Sequence, residues 1–148
     1  MAFRFRLQSY LNVKTQIEEQ KQNEYAQALR RLEEEKEKKR RMEREIDQTV
    51  EGLRTIMATT LDPVDAKYRN DRISLLRIRI AEQEVQIAKA EQFAEKKRLE
   101  LVEAMKQRKM MDTIKDNHFE QYREEEKRDD QKITDAIVSY RYTTRTPA

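Results

Sequence analysis

The chain has 148 residues, of which 41% are charged and 36% hydrophobic, and its 32 basic and 29 acidic side chains leave a net charge of +3. This composition excludes a compact globule with a thick apolar core, and the interleaved charges argue against a nucleic-acid partner, which needs a basic patch. One glycine, two prolines and abundant Glu, Lys, Arg, Gln, Ala and Leu favour long helices over disorder.

A first helix is predicted over residues of about 5–60. Its apolar residues recur with heptad spacing, which is typical of a coiled-coil stripe. Tyr25, Leu32, Ile46 and Leu53 share one heptad position, and Ala28, Met42 and Ile56 share the other. Glu35, Lys39 and Thr49 interrupt the stripe, so we expect loose packing near residues 35–40.

The segment TLDPVDAKYRND (residues 60–71) predicts a corner near residues 61–71. Asp62 is a candidate N-cap for a short helical turn that begins at Pro63. Asn70 or Asp71 is a candidate cap for the second long helix. Gly52, shortly before the corner, indicates a close crossing of the helices, a bend before the turn or a tolerated defect, and the sequence leaves these interpretations open.

A second helix is predicted over residues of about 71–142, with a clearer heptad pattern than the first. Ile73, Ile80, Ile87, Ala94 and Leu101 recur every seventh residue, and Leu76, Gln83, Ala90, Lys97, Ala104 and Met111 fill the companion position. A 3-4 spacing of this kind turns one face of the helix toward a partner helix in a left-handed coiled coil.

Two amphipathic helices joined by a short corner pair with each other, because the link keeps their effective concentration high. We therefore predict an all-α fold: one domain over residues 1–148, an antiparallel coiled-coil hairpin, and a monomer. With the corner centred near residue 65, Ile46 would face Ile87, and Ile17 would face Ile114. The second helix, roughly 105 Å against roughly 80 Å for the first, would extend past its partner beyond about residue 131.

Both ends of the chain have the composition of a protein interface. The stretch FRFRLQSYLNVK (residues 3–14) combines Phe3, Phe5 and Tyr10 with basic side chains, and aromatic residues with arginine are enriched in interfaces. Near the other end, the predicted extension carries an apolar stripe without an intrachain partner: Ile133, Ala136, Ile137 and Tyr140. A membrane-surface anchor is the alternative, but the acidic YREEEKRDD alongside would repel anionic lipid.

Nothing in the sequence favours catalysis. The chain has no cysteine, no glycine-rich phosphate loop and a single histidine, His118, at a seam position where it is expected to pack. We expect no enzymatic activity, no cofactor and no metal. No apolar run approaches the roughly 20 residues of a membrane-spanning helix, so we expect a soluble protein without direct membrane insertion.

At its two ends the sequence resembles the flagellar FliJ family, the small coiled-coil component of flagellar type III export. The stretches that carry the resemblance are FRFRLQSYLNVKTQIEEQKQNE at the start and REEEKRDDQKITDAIVSYR near the end. Within the second stretch, Asp130–Gln131–Lys132 followed by Ile133 and Asp135 is similar to the family's C-terminal pattern.

The resemblance implies a hairpin like the γ stalk of rotary ATPases, whose paired ends enter the central hole of a hexameric export ATPase. It also implies contacts with the membrane-embedded export gate and with export chaperones, and a cytoplasmic location at the inner face of the membrane at the flagellar base. The implied ATPase contacts are Phe3, Phe5, Leu7, Tyr10, Leu11, Tyr122, Gln131, Lys132, Ile133, Ala136, Ile137 and Tyr140. The implied gate contacts are Arg72, Leu76, Arg79 and Gln83.

Two other classes of function stay open. A rotary-ATPase stalk or a virulence type III secretion stalk shares the hairpin, although many rotary stalks carry an inserted globular domain for which a short corner leaves no space. A generic scaffold or substrate-holding chaperone would instead act as a parallel dimer. The mass in solution distinguishes that dimer from a monomeric hairpin.

Overall fold

The computed structural model describes residues 2–59 and 62–145. Within these residues the chain forms two helices, α1 (Gln8–Thr59) and α2 (Pro63–Arg145), and no strand. The two helices pack against each other in opposite directions, which confirms the predicted all-α helical hairpin. The chain divides into two compact units. The terminal unit combines residues 1–18 with 103–148, and the corner unit comprises residues 19–102.

The segment before α1 is extended, and for this reason α1 begins at Gln8 rather than near residue 5. In FRFR (residues 3–6), aromatic and basic residues alternate with the two-residue period of an extended chain. Phe5 is buried and Phe3 half-buried, whereas Arg4 and Arg6 are exposed. The backbone N–H of Gln8 donates to the carbonyl of Phe5 at 3.1 Å, which closes the turn into the helix.

The second helix begins at Pro63, so the predicted corner over residues 61–71 is too long. Asp62 is the N-cap, as predicted: its Oδ1 accepts from the N–H of Val64 at 3.1 Å, and its carbonyl accepts from the N–H of Ala66 at 3.0 Å. A helix that starts from a capped proline continues until a breaker stops it, and residues 64–72 contain neither glycine nor proline. Asn70 and Asp71 therefore lie inside α2 and cap nothing, and Leu61 lies outside the described residues.

The heptad analysis identified the correct face of each helix. We call this face the seam, the side of each helix that is turned toward the other. Every predicted seam position is buried or half-buried, from Tyr25 to Ile56 in α1 and from Ile73 to Met111 in α2. The expected loose packing near residues 35–40 is not found at Glu35, because this side chain is buried and accepts hydrogen bonds from Gln83.

The alignment of the two helices along their axes differs from the prediction. Lys14 bonds to Gln107 at 2.7 Å, Lys21 pairs with Glu100 at 3.3 Å, and Arg72 pairs with Glu45 at 2.6 Å. Each of these α1 residues therefore faces a part of α2 about 11–15 residues, or three to four turns, closer to the corner than predicted. The physical reason is the early start of α2, which moves the point of reversal from near residue 65 to just before Pro63.

Gly52 allows a side chain of α2 to lie close to the backbone of α1. A Cβ atom at Gly52 would lie 2.3 Å from Nη1 of Arg69, so the guanidinium occupies the space that a larger residue would fill. Asp65 lies 3.6 Å from Nε of the same arginine. The close neighbour of this glycine is therefore the end of a side chain of α2.

Candidate protein-interaction surfaces

The C-terminal part of α2 extends beyond the residues that α1 and the N-terminal segment cover. Every residue from Arg123 to Arg145, a segment that we call the overhang, is exposed. Ile133, Ile137 and Tyr140 are 59%, 48% and 71% exposed, and their spacing places them on one face of the helix. The uncovered segment begins about two turns earlier than predicted, because the helix pair is shifted along its axis.

The overhang also carries apolar side chains on its other side. Val138 and Tyr142 are 60% and 76% exposed, and they fall roughly opposite Ile133 and Ile137 around the helix. An exposed surface helix is normally apolar on one side only. The end of α2 therefore presents apolar groups to more than one direction.

In the terminal unit, a cluster of aromatic and aliphatic side chains joins the N-terminal segment to α2 directly before the overhang. Phe5, Leu11 and Met111 are buried, and Phe3 and Ile114 pack against them. The ring of Phe3 lies 5.2 Å from that of Phe119 and 5.5 Å from that of Tyr122, centroid to centroid. The ring of Phe5 lies 5.6 Å from that of His118. Burial raises the pKa of Tyr122 above its usual value.

The predicted ATPase contacts therefore fall into two groups. Phe3, Phe5, Leu11 and Tyr122 lie in or against the cluster that fastens the N-terminal segment to α2. The exposed members are Leu7, Tyr10, Gln131, Lys132, Ile133, Ala136, Ile137 and Tyr140. His118 makes the expected ring contact, with Phe5, but its side chain is exposed and not half-buried as a seam position would be.

Polar contacts fasten the same end of the hairpin. Arg108 of α2 bonds to Glu18 of α1, which is buried, and its second branch bonds to Asp112 at 2.6 Å. An arginine shared between two carboxylates holds the neighbouring helices at one axial position, because its planar fork fits few geometries. The terminal unit therefore supports the overhang with both apolar and directional contacts.

The predicted gate contacts are mostly turned into the seam. Leu76 is 1% exposed, Gln83 is buried against Glu35, and Arg72 bonds to Glu45. Arg79 is exposed. Three of the four side chains therefore hold the hairpin together, and a partner at the surface would meet only Arg79 in full.

A different face of α2 near the corner is exposed and apolar. We call it the outer stripe, and its members are Val64, Tyr68, Leu75, Ile78 and Val85, all at least 40% exposed. They recur with heptad spacing on the side of α2 away from the seam. Asp71 and Glu82 occupy the same stripe. This surface was not predicted from the sequence, although Leu75, Ile78 and Val85 are spaced by three and seven residues, as on one face of a helix.

Over residues 2–59 and 62–145, no group of three or more His, Asp or Glu side chains is arranged to hold a metal ion. Neither helix, over the residues that the structure covers, contains a stretch that is long and apolar enough to span a bilayer.

The chain is similar to known proteins in both sequence and fold. The family of the flagellar FliJ protein matches residues 3–146, nearly the whole chain. A solved structure described as a YscO homolog, CT670 of Chlamydia trachomatis, is 20% identical and superposes with a TM-score of 0.58, covering 99% of this chain and 100% of that one. At this identity the likeness shows a shared fold. No curated protein sequence matches the chain. With a family match over this length, the chain belongs to the FliJ family.

Proposed function

We propose that the protein is a non-enzymatic stalk and adaptor of the flagellar type III export apparatus. In this proposal the overhang enters the central hole of the hexameric export ATPase, and the outer stripe contacts the export gate at the membrane. Membership of the FliJ family supports the export role. The proposal includes a location at the cytoplasmic face of the membrane and an encounter with export chaperones.

The observation that carries the ATPase contact is the exposed apolar surface on opposite sides of the overhang. A helix with Ile133 and Ile137 on one side and Val138 on the other gains most from a partner that surrounds it. A hole lined by several subunits is such a partner, whereas a flat surface would cover one side only. The terminal cluster supports this role, because it fixes the last covered turn of α2 directly before the overhang.

For the gate we propose the outer stripe in place of the residues that the family resemblance suggested. Leu75 and Ile78 offer exposed apolar surface, whereas Leu76 and Gln83 would have to leave the seam to reach a partner. Asp71 and Glu82 within the stripe would repel anionic lipid, and they favour a protein partner with cationic side chains at matching positions.

The ATPase contact is tested by mixing the protein with the cognate export ATPase and measuring hexamer formation and hydrolysis. We expect stimulation by the wild-type protein and at least a tenfold weaker apparent affinity for Ile133→Asp combined with Ile137→Asp, because each buried isoleucine contributes about 1.5–3 kcal/mol. Gln92→Asp combined with Thr113→Asp is the matched control, since it adds the same charge at exposed positions of α2 outside the overhang. Equal stimulation by all three proteins would contradict the proposal.

The gate contact has its own test. Leu75→Asp combined with Ile78→Asp should reduce binding to the purified cytoplasmic part of the gate by at least about tenfold and leave the ATPase stimulation intact. Gln92→Asp combined with Thr113→Asp, at exposed positions of α2 beyond the outer stripe, is the control and should bind as the wild type does. Unchanged gate binding by the double variant would rule out the outer stripe as the contact.

A further inference from the structure

A groove crosses the seam of the corner unit on one side of the hairpin. It consists of two adjoining hollows of about 440 Å³ and about 300 Å³, which share Ala28, Arg31 and Phe93. The remaining lining residues are Glu35, Gln86, Lys89 and Ala90 in the larger hollow and Glu24, Gln27 and Lys97 in the smaller one.

The groove exists because small residues occupy seam positions. Ala28 and Ala90 are buried at its floor, where a leucine or isoleucine would fill the space. Phe93 stands between the two hollows and is 48% exposed, with Nζ of Lys97 lying 5.4 Å from the centre of its ring. Each hollow therefore has an apolar base and can receive one apolar side chain.

The rim of the groove is cationic. Arg31 and Lys89 are exposed, and neither forms a salt bridge with another residue in the described parts of the chain. Lys97, in contrast, is paired with Glu24 and Glu100 at 3.4 Å and 3.3 Å. Arg31 already attracts the carboxylate of Glu35 in the larger hollow, but Arg31 and Lys89 are both exposed and can receive carboxylates from a partner.

The overhang has the complementary pattern. Ile133 and Ile137 are exposed on one face, and Glu126, Asp129 and Asp130 lie on the same side one to two turns earlier. A helix with acidic residues followed by apolar ones at i, i+3, i+4 and i+7 fits an apolar groove with a basic rim.

We propose that the overhang of one copy of this chain docks into the groove of a second copy. Ile133 and Ile137 would enter the two hollows beside Phe93, and the acidic turn before them would lie against Arg31 and Lys89. This association covers the Ile133 and Ile137 face of the overhang while the protein is free, and any partner of that face must compete with it. The inference concerns the protein alone and does not rest on the proposed export function.

The first test is the weight-average mass in sedimentation equilibrium at loading concentrations from about 5 to about 500 µM. We expect the mass to rise above the 18.0 kDa of one chain as concentration increases. Arg31→Glu combined with Lys89→Glu should abolish the rise, and so should Ile137→Asp, which leaves the groove intact. Lys96→Glu, an exposed lysine outside both hollows, is the control and should associate normally.

Charge reversal makes the test specific. Adding Asp129→Lys and Asp130→Lys to the Arg31→Glu, Lys89→Glu protein should restore the rise in mass, because the charges then match again in the opposite sense. A constant mass of one chain over the whole range would overturn the proposal. So would a rise that the groove variants leave unchanged, since the copies would then meet through another surface, such as the outer stripe.

A crosslinking experiment checks the contact directly. The chain has no cysteine, so Gln86→Cys in one preparation and Ala136→Cys in another give one thiol each. Upon mild oxidation of the mixture, the mixed disulfide dimer should exceed both homodimers by at least about fivefold over the statistical ratio. A statistical distribution of the three dimers would overturn the proposed docking geometry.

Discussion

The seam of the corner unit differs between its corner end and its middle. Near the corner, Ile73 and Leu76 are buried apolar side chains packed between the helices. In the middle, Gln83 donates to the carbonyl of Glu35 at 2.9 Å and also bonds to its carboxylate. Further along, Lys21, Glu24, Lys97 and Glu100 form a ring of ion pairs across the seam at 3.3–3.4 Å. At the corner end, buried apolar side chains hold the two helices together. Farther from the corner, hydrogen bonds and ion pairs hold them together.

The difference teaches where this chain places its apolar residues. In the middle, alanine and polar side chains take the fully buried positions and Leu32 and Ile87 are half-buried, whereas the larger Val85 and Phe93 lie outside at about half exposure. A helix pair that needed only stability would place those side chains inside. Outward apolar residues above a polar seam are expected of a helix pair with partners of its own.

The middle of α1 is also supported by pairs along its own surface. Arg40 bonds to Glu33 and, at 2.9 Å, to Glu37, and Arg44 bonds to Glu37 at 2.8 Å. Exposed pairs of this kind each contribute little, but several in succession favour the helical state without any contribution from α2. This ladder helps α1 to continue through the part of the seam with the least apolar burial.

The largest effect should come from truncating the apolar end of the seam. Leu76→Ala should lower the free energy of unfolding by about 3 kcal/mol, because it leaves a cavity at a site that is 1% exposed. Leu75→Ala, at the exposed neighbouring position, is the control and should cost less than about 1 kcal/mol. Chemical denaturation of both variants measures the difference, and equal costs would show that burial does not fasten this end.

The stability of the hairpin should respond differently to single and double substitutions of the buried pair Gln83 and Glu35. Gln83→Leu should cost about 2 kcal/mol, because it leaves the buried Glu35 carboxylate without its main donor. Glu35→Leu combined with Gln83→Leu should recover that loss or exceed wild-type stability, since the buried charge is gone. If the double variant is less stable than Gln83→Leu alone, the hydrogen-bonded pair of Gln83 and Glu35 stabilises the seam more than two leucines would.

Gly52 offers a smaller and stabilising change next to the apolar end. Gly52→Ala should raise the free energy of unfolding by about 0.5–1 kcal/mol, because alanine is the better helix former. The new Cβ meets only the far end of the flexible Arg69 side chain, which can turn toward solvent. Thermal unfolding measures the gain. A loss of stability would show that the position of Arg69 over Gly52 contributes more than helix propensity.

The ion pairs in the middle of the hairpin predict that its stability depends weakly on pH in the acid range. Hydrogen bonds from Arg44 and Arg40 lower the pKa of Glu37 from 4.5 to about 2, and Lys21 lowers the pKa values of Glu24 and Glu100. Carboxylates with lowered pKa values stabilise the fold above about pH 4.5, and that contribution is lost as the pH falls toward 2. The melting temperature should fall over this window, and Glu37→Gln should make the fall shallower; identical curves would contradict the role of this pair.

The sequence predicted which face of each helix is buried, because heptad spacing is independent of where the partner begins. It did not predict the axial alignment. A seam with Lys97, Gln83 and Glu35 at core positions accepts several alignments with similar numbers of ion pairs, so only the corner decides among them. Assigning a cap to Asn70 or Asp71 moved that corner by several residues, and every facing pair moved with it.

The interaction surfaces were predictable where the apolar pattern had no intrachain partner. The overhang stripe at Ile133 and Ile137 was identified for this reason, and the structure exposes it. The outer stripe was not predicted because α2 carries two apolar heptad patterns on opposite faces. The stronger pattern, that of the seam, already accounted for the helix. The gate residues inferred from family resemblance lie one position away from the outer stripe, at Leu76 rather than Leu75, and a shift of one residue turns a side chain by about 100°.

The contact of Phe3 with Phe119 and Tyr122 has a practical consequence for anyone who labels this protein. Because the ring of Phe3 contacts that of Tyr122, any sequence fused ahead of Phe3 lies close in space to the first residues of the overhang. A bulky purification tag or fluorescent reporter placed there would crowd the very helix whose partners are being sought. Assays of those partners should therefore use protein from which the leading tag has been cleaved.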